Sequence, residues 1–312
     1  MATQKFEIIE IPIFQHDSIE QLGSKRKFWF ENDIDGLKKL FKIGRANTGE
    51  DWVEVVVAEL CTLLNIPHAK YQFAKWNNYE WNNYEGTITE NFVPKEGRLV
   101  HGNEVLAKIS NSEYPKDSFY KVREYKLKLI ITLMKQPSFK LPISYGNTQL
   151  KRVFDVFMSY IMLDCLISNP DRHHENWGFI VYDNKRYLSP TYDHASGLGC
   201  RETEANKKKR LASKDKGFQV ASFVKKAKTP FYHKHEKLTT LKAFEMCAAS
   251  DKKVAIYWLE QLESLNFKVV QNIFSKIPNH LISDISIEFA LKILEENKKR
   301  LLDMKKTLTN VQ

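Results

Sequence analysis

The chain has 312 residues, 43% of them hydrophobic, with a net charge of +10 and a pI near 9.2. That apolar content can bury a full core in one large domain or two small lobes, and the excess of cations favours acidic partners such as nucleotide phosphates, nucleic acid or an acidic protein surface. Four scattered cysteines with no CxxC pair, and no stretch near the roughly 18 apolar residues that span a bilayer, exclude a disulfide framework and a transmembrane helix. The start, MATQKFEIIEIPIF, lacks the pattern of a cleaved signal, so the expected location is cytoplasmic, or export without such a signal.

In chain order, residues 6 to 14 and 26 to 43 read as short strands separated by turn residues around Gly23, Asp33 and Gly36. Thr48, with Asp51 three residues on, is the expected N-cap of a helix over DWVEVVVAELCTLLN, which ends at Asn65 before Pro67. AKYQFAKW and GTITENFV then read as strands joined through WNNYEWNNYE, a tandem duplication at 76 to 85 expected to be the tip of a long hairpin. After Pro94 the spacing changes to helical, over 103–111, 119–135, 151–168, 236–248, 251–265 and 281–307. Residues 201–228, with ten Lys or Arg against three acidic residues, read as a long, partly mobile loop. The expected class is therefore α+β, with a small β-rich N-lobe over residues 1–94 and a larger α-helical C-lobe over 95–312.

The segment 151–168 is apolar nearly all round, so it is expected to be buried and to deliver the polar run NPDRHHEN into an interior or a cleft. Asn169-Pro170 stops the helix, Asp171 and Asn176 follow five residues apart, and WGFIVYDNKRYLSPTYD reads as strand, Asp183-Asn184 turn and strand ending at Asp193. A buried helix, Asp with Asn five later, a hairpin and a second Asp is the order of parts in protein-kinase catalytic machinery. On that pattern Asp171 faces the acceptor hydroxyl, while Asn176 and Asp193 offer Mg²⁺ the oxygen donors that a hard cation prefers. Such a site needs a phosphate-binding lysine on an upstream strand and a carboxylate to hold it. LFKI supplies Lys42, and the helix after it supplies Glu54 ahead of Glu50 and Glu59. GSKRKFWF at 23–30 would lie over the phosphates, with Gly23 allowing close approach and Ser24 and Lys25 donating.

SNPDRHHENWGF, LSPTYDHASG, LFKIGRANTGEDWVE and LLNIPHAKY together resemble the HipA-like serine/threonine kinases over residues 20–200, with a size that matches a compact form of that family. The resemblance implies a two-lobed protein-kinase-like fold, ATP and Mg²⁺ as cofactors, a protein Ser or Thr as acceptor and autophosphorylation. It assigns Asp171 as the catalytic aspartate, Asn176 and Asp193 as metal ligands, Lys42 as the phosphate lysine, and TENFVP as the interlobe hinge, where Asn91, Phe92 and Val93 meet the adenine. His173 is expected on the nucleotide side, bracing the loop through hydrogen bonds, with His174 exposed. The chain departs from ordinary protein kinases in having Asn-Pro before Asp171, His194-Ala195 after Asp193, and neither G-x-G-x-x-G nor Ala-Pro-Glu.

Two other readings stand beside this one. DRHHEN also resembles a phosphoinositide-kinase loop, which makes a lipid or small-molecule acceptor the enzymatic rival. A kinase fold without activity, binding partners through its basic segment, is the rival of another class. HHE lacks the i, i+4 histidine pair of a zincin helix, so zinc is disfavoured, and KKKR at 207–210 is either a solvated run or a nuclear address. No interleaved aromatics suggest nucleic acid there; host-cell proteins are among the acceptors that the family resemblance allows.

Overall fold

A computed structural model describes residues 4–11, 18–19, 26–32, 36–78, 82–110, 114–118 and 121–310. The first part is a six-stranded sheet in the order β1-β5-β6-β4-β3-β2, built from β1 (Ile8–Ile11), β2 (Ser18–Ile19), β3 (Lys27–Glu31), β4 (Lys38–Ile43), β5 (Tyr71–Asn78) and β6 (Asn82–Glu90). β1 runs parallel to β5 and every other neighbouring pair is antiparallel. Alternation along the strands sends Phe28, Phe30, Phe41, Ala74 and Ile88 into a small apolar cluster of their own. β5 and β6 pair out to Asn78 and Asn82; residues 79–81 between them lie outside the described residues, as do Gly23, Ser24 and Lys25.

Helix α1 (Glu50–Leu63) crosses between β4 and β5 with Trp52, Val53, Val56, Val57, Leu60 and Cys61 buried. Its cap differs from the expected one: the N-cap is Gly49, and the Thr48 hydroxyl turns back to the Arg45 carbonyl at 2.7 Å. The main core runs from α1 into the helical part without a break. Trp52 packs on Phe274 with ring centroids 6.2 Å apart, and the Phe6 N–H donates to the Lys276 carbonyl at 2.7 Å, so the two parts are joined behind the site as well as at the hinge.

The helical part contains α2 (Gly102–Ile109), α3 (Leu127–Met134), α4 (Val153–Leu166), α5 (Glu204–Ala212), α6 (Val220–Lys226), α7 (Thr240–Ser250), α8 (Lys252–Ser264), α9 (Phe267–Ser275) and α10 (Asp284–Asn310). A four-stranded sheet, β7-β9-β10-β8, is formed by β7 (Arg98–His101), β8 (Phe139–Lys140), β9 (Gly178–Tyr182) and β10 (Lys185–Leu188), and a hairpin by β11 (Lys228–His233) and β12 (Glu236–Thr239). Asp183 and Asn184 both take positive φ, 48° and 53°, between paired Tyr182 and Lys185, which is the two-residue hairpin turn that matches strand twist. Every residue of α4 is buried, Asp155, Ser159 and Asp164 included, as apolar residues on all its faces require.

Three expectations are corrected. Residues 201–228 are not a long loop: they hold α5 and α6, because Thr203 caps α5 by accepting from the Asn206 N–H, and Lys207 is buried with its Nζ 2.7 Å from the Ser286 hydroxyl of α10. The Arg210 guanidinium lies over Phe218 and Phe223, so these long basic side chains cover apolar surface that composition alone assigns to solvent. Within 119–135 only α3 is helical; Tyr125 turns inward toward the polar loop after α4, while residues 119 and 120 lie outside the described residues. Within 236–248 the first four residues form β12, and α7 starts only after the Thr239 cap. Among the described residues no helix is long and apolar enough to cross a membrane.

Candidate active site

The site lies where β4, α1, the loop after α4 and the loop after β10 meet. Lys42 is the penultimate residue of β4, where Gly86 of β6 lies so close that a Cβ there would run into the Lys42 carbonyl. The Lys42 ammonium, 8% exposed for the whole residue, sits 3.2 Å from Glu54 Oε1 and 3.1 Å from Asp193 Oδ1. Burial works against its charge, but the carboxylates of Asp193 and Glu54 outweigh that and hold its pKa well above the ordinary lysine value. Glu54 uses its second oxygen to accept the His194 backbone N–H at 2.9 Å, so one carboxylate ties the lysine to the segment that carries Asp193. Asp193 itself takes φ +57°, a left-handed conformation that Asp tolerates, and its N–H donates to the Tyr71 hydroxyl.

Asp171 and Asn176 share the loop after α4. Asn176 donates its amide to the Asp171 carbonyl at 2.7 Å, and Asp171 Oδ2 accepts from the Ser196 hydroxyl at 2.9 Å. The loop is fixed from beneath by a buried ion pair that sequence reasoning missed: Arg172 Nε and Nη2 lie 2.7 and 2.8 Å from the two oxygens of Asp164 on α4. Asn169, fully buried, donates to Asp164 Oδ1 and accepts the Asp171 N–H, and Arg172 also donates to the Asn176 carbonyl. Asp164, near the end of the largely apolar VFDVFMSYIMLDCL, was the available signal, because an unpaired charge buried there would be prohibitive. From α10, the Asn297 amide donates to the Leu166 carbonyl and the Ser168 hydroxyl, satisfying the end of α4 where the loop begins.

The histidines divide differently from the expectation. His174 is not exposed: it is 1% exposed, with Nδ1 2.7 Å from the Tyr114 hydroxyl, and burial, helped by His173 and His101, lowers its pKa to about 4. The loop faces inward because Tyr125 bonds the Arg172 carbonyl and accepts from the Trp177 indole, closing the pocket into which His174 fits. His173 accepts the Glu175 N–H at its Nδ1, within the loop.

At the hinge, Asn91 donates its N–H to the Lys38 carbonyl and accepts the Val93 N–H at its side-chain oxygen. Phe92 stacks on Tyr192, ring centroids 5.5 Å apart, which sets the hinge beside the residue preceding Asp193. A second unexpected cluster stands at the front of α1, where buried Glu50 takes Arg45 Nη1 at 2.6 Å and Arg201 Nη2 at 3.0 Å, and the Gly49 N–H donates to the Cys200 carbonyl.

The structure thus brings Lys42, Glu54 and Asp193 into direct contact and places Asp171 and Asn176 together on the neighbouring loop. Asp193 keeps 37% of its side chain exposed, and Asn176, with its amide nitrogen engaged, retains its amide oxygen. One anionic and one neutral oxygen suit a hard divalent cation such as Mg²⁺, and the lysine beside them suits the phosphates such a cation accompanies.

No protein-family model and no curated protein matches the sequence. Among solved structures, the chain is similar to the Helicobacter pylori proinflammatory kinase CtkA, with a TM-score of 0.76 and 15% identity over 98% of this chain and 100% of that one. It is also similar to the structure of HipA with HipB and operator DNA from the Shewanella oneidensis MR-1 toxin–antitoxin system, with a TM-score of 0.58 and 12% identity over 97% of this chain and 70% of that one. The chain therefore has the α+β, protein-kinase-like fold of these HipA-like kinase structures.

Proposed function

We propose that the protein is an ATP- and Mg²⁺-dependent serine/threonine protein kinase that transfers the γ-phosphate to a protein hydroxyl, its own chain included. Residues 1–94 serve as the nucleotide-covering lobe and 95–312 as the catalytic lobe. The observation that carries this reading is the contact of Lys42 with Glu54, 12 residues on, and with Asp193, 151 residues on, beside a loop in which Asp171 and Asn176 are bonded to each other. Asn176 and Asp193 would hold a magnesium–nucleotide complex, which would supply the phosphoryl group and neutralise its charge. Lys42, kept charged by its two carboxylates, binds phosphate oxygens. Asp171 orients the acceptor: Ser196 occupies its Oδ2, and Oδ1 is left to accept the hydroxyl proton. At the hinge Phe92 offers the adenine a ring, and, with the Asn91 and Val93 N–H groups engaged within the protein, the Phe92 N–H and the hinge carbonyls offer it polar groups.

Purified chain with labelled ATP and Mg²⁺ should label protein, and both Asp171→Asn and Asp193→Asn should reduce labelling at least about 10²-fold, the loss expected for removing a charge aimed at the transition state. Full labelling in either variant would reject these roles. Label in phosphoinositide vesicles instead of protein would favour the lipid-directed alternative, and no label anywhere the inert one.

A further inference from the structure

A cavity of about 400 Å³ opens beside Asp171, walled by Lys121, Tyr125, His173, Arg201, Pro230 and Lys237 among others. All the lining residues follow position 120, and Lys42, Asn176 and Asp193 are not among them. His173, expected on the nucleotide side, lines this cavity instead, and because the phosphate lysine and the metal-ligand candidates do not, the cavity is on the acceptor side of Asp171. Its walls are firm: Tyr125 stacks on Phe231 of β11 with centroids 4.7 Å apart, its hydroxyl bonds the Arg172 carbonyl, and β12 carries Lys237 on the same hairpin.

Its charge is one-sided. Among the described lining residues Asp171 is the single carboxylate, against Lys121, Arg201 and Lys237. Arg201 does not cancel against Glu50, because Glu50 is shared with Arg45. A cationic wall around one catalytic carboxylate attracts anionic groups and repels basic ones.

Resting on the kinase reading above, we propose that this cavity is the acceptor subsite and that it selects a serine or threonine flanked by an anionic side chain, carboxylate or phosphate, in a peptide. Lys121 and Lys237 meet the flanking anion while Asp171 takes the hydroxyl.

The test is a Ser/Thr peptide library with Asp, Glu, phosphoserine, Ala, Lys or Arg beside the acceptor, incubated with full chain, labelled ATP and Mg²⁺, with label in the chain itself read in the same tubes. Peptides with an anionic flank should be labelled about tenfold faster than those with Lys or Arg, as a few partly exposed charge contacts allow; the Asp, Glu and phosphoserine arms tell which anion is preferred. In Lys121→Glu/Lys237→Glu, checked for folding by its melting curve, the order should invert, with the change in peptide KM. Equal labelling of acidic and basic peptides, a rise in the KM for ATP in place of that for peptide, label in anionic lipid vesicles only, or label in the chain with none in any peptide would overturn the specificity. Absence of label in chain and peptides alike would take the kinase reading down with it.

Discussion

Glu54 divides its carboxylate between two partners, Lys42 at one oxygen and the backbone N–H of His194 at the other. The lysine and the loop bearing Asp193 are thus registered by one side chain. Glu54→Ala should leave Lys42 drawn wholly to Asp193 and free the His194 amide. The expected result is a fall in kcat/KM of about 10²-fold, with a raised KM for ATP, measured by steady-state phosphorylation. An unchanged KM for ATP would mean that the pairing does not position the lysine for phosphate.

The Asp164–Arg172 pair sits beneath the catalytic loop, both side chains almost fully buried. Asp164→Ala should cost about 3–5 kcal/mol of folding stability, because the guanidinium is left charged in the interior. Asp164→Leu combined with Arg172→Met should recover much of that in urea denaturation while activity stays low, since the bond from Arg172 to the Asn176 carbonyl is lost.

Burial of His174 gives stability a pH dependence. With its pKa lowered from 6.5 to about 4, the unfolded chain takes up the proton first as pH falls. Its contribution is present above about pH 6.5, is lost progressively down to about pH 4 and is flat below. Denaturation midpoints followed over that window should fall, and His174→Gln should flatten the slope; an unchanged slope would place the titration elsewhere.

Gly86 lets β6 approach the backbone of Lys42, where a methyl group has no room against the carbonyl. Gly86→Ala must push β4 aside, at a cost of about 1–3 kcal/mol. Because the displaced residue is Lys42, ATP affinity should fall alongside the melting temperature. Intact nucleotide binding with lowered stability would show that the strand shifts without moving its lysine.

The local setting of the candidate residues was readable from sequence: Asp171 and Asn176 follow the end of a buried helix, a hairpin with its turn lies between them and Asp193, and Lys42 stands out as a cation in an apolar strand. Glu54 could be favoured over Glu50 and Glu59 but not fixed, since helix periodicity leaves the rotation of α1 to its packing. What could not be read depended on distant surfaces. Lys207 looks like solvated charge until α10 places Ser286 beside it, and His174 looks exposed until Tyr114 and Tyr125 close over it. Arg201 meets Glu50 across 151 residues, a pairing with no local trace. Gly23, Ser24 and Lys25, expected from sequence to cover the phosphates, lie outside the described residues.

Helix α1 is fastened at its leading end to residues 200 and 201 and along its flank to α9 through Trp52 and Phe274. A helix pinned at two points cannot swing outward to break the Lys42–Glu54 contact without also tearing the core behind it. Displacing α1 to break that contact is therefore a costlier route to on–off control than blocking the cleft, which leaves the lysine and its carboxylates in place.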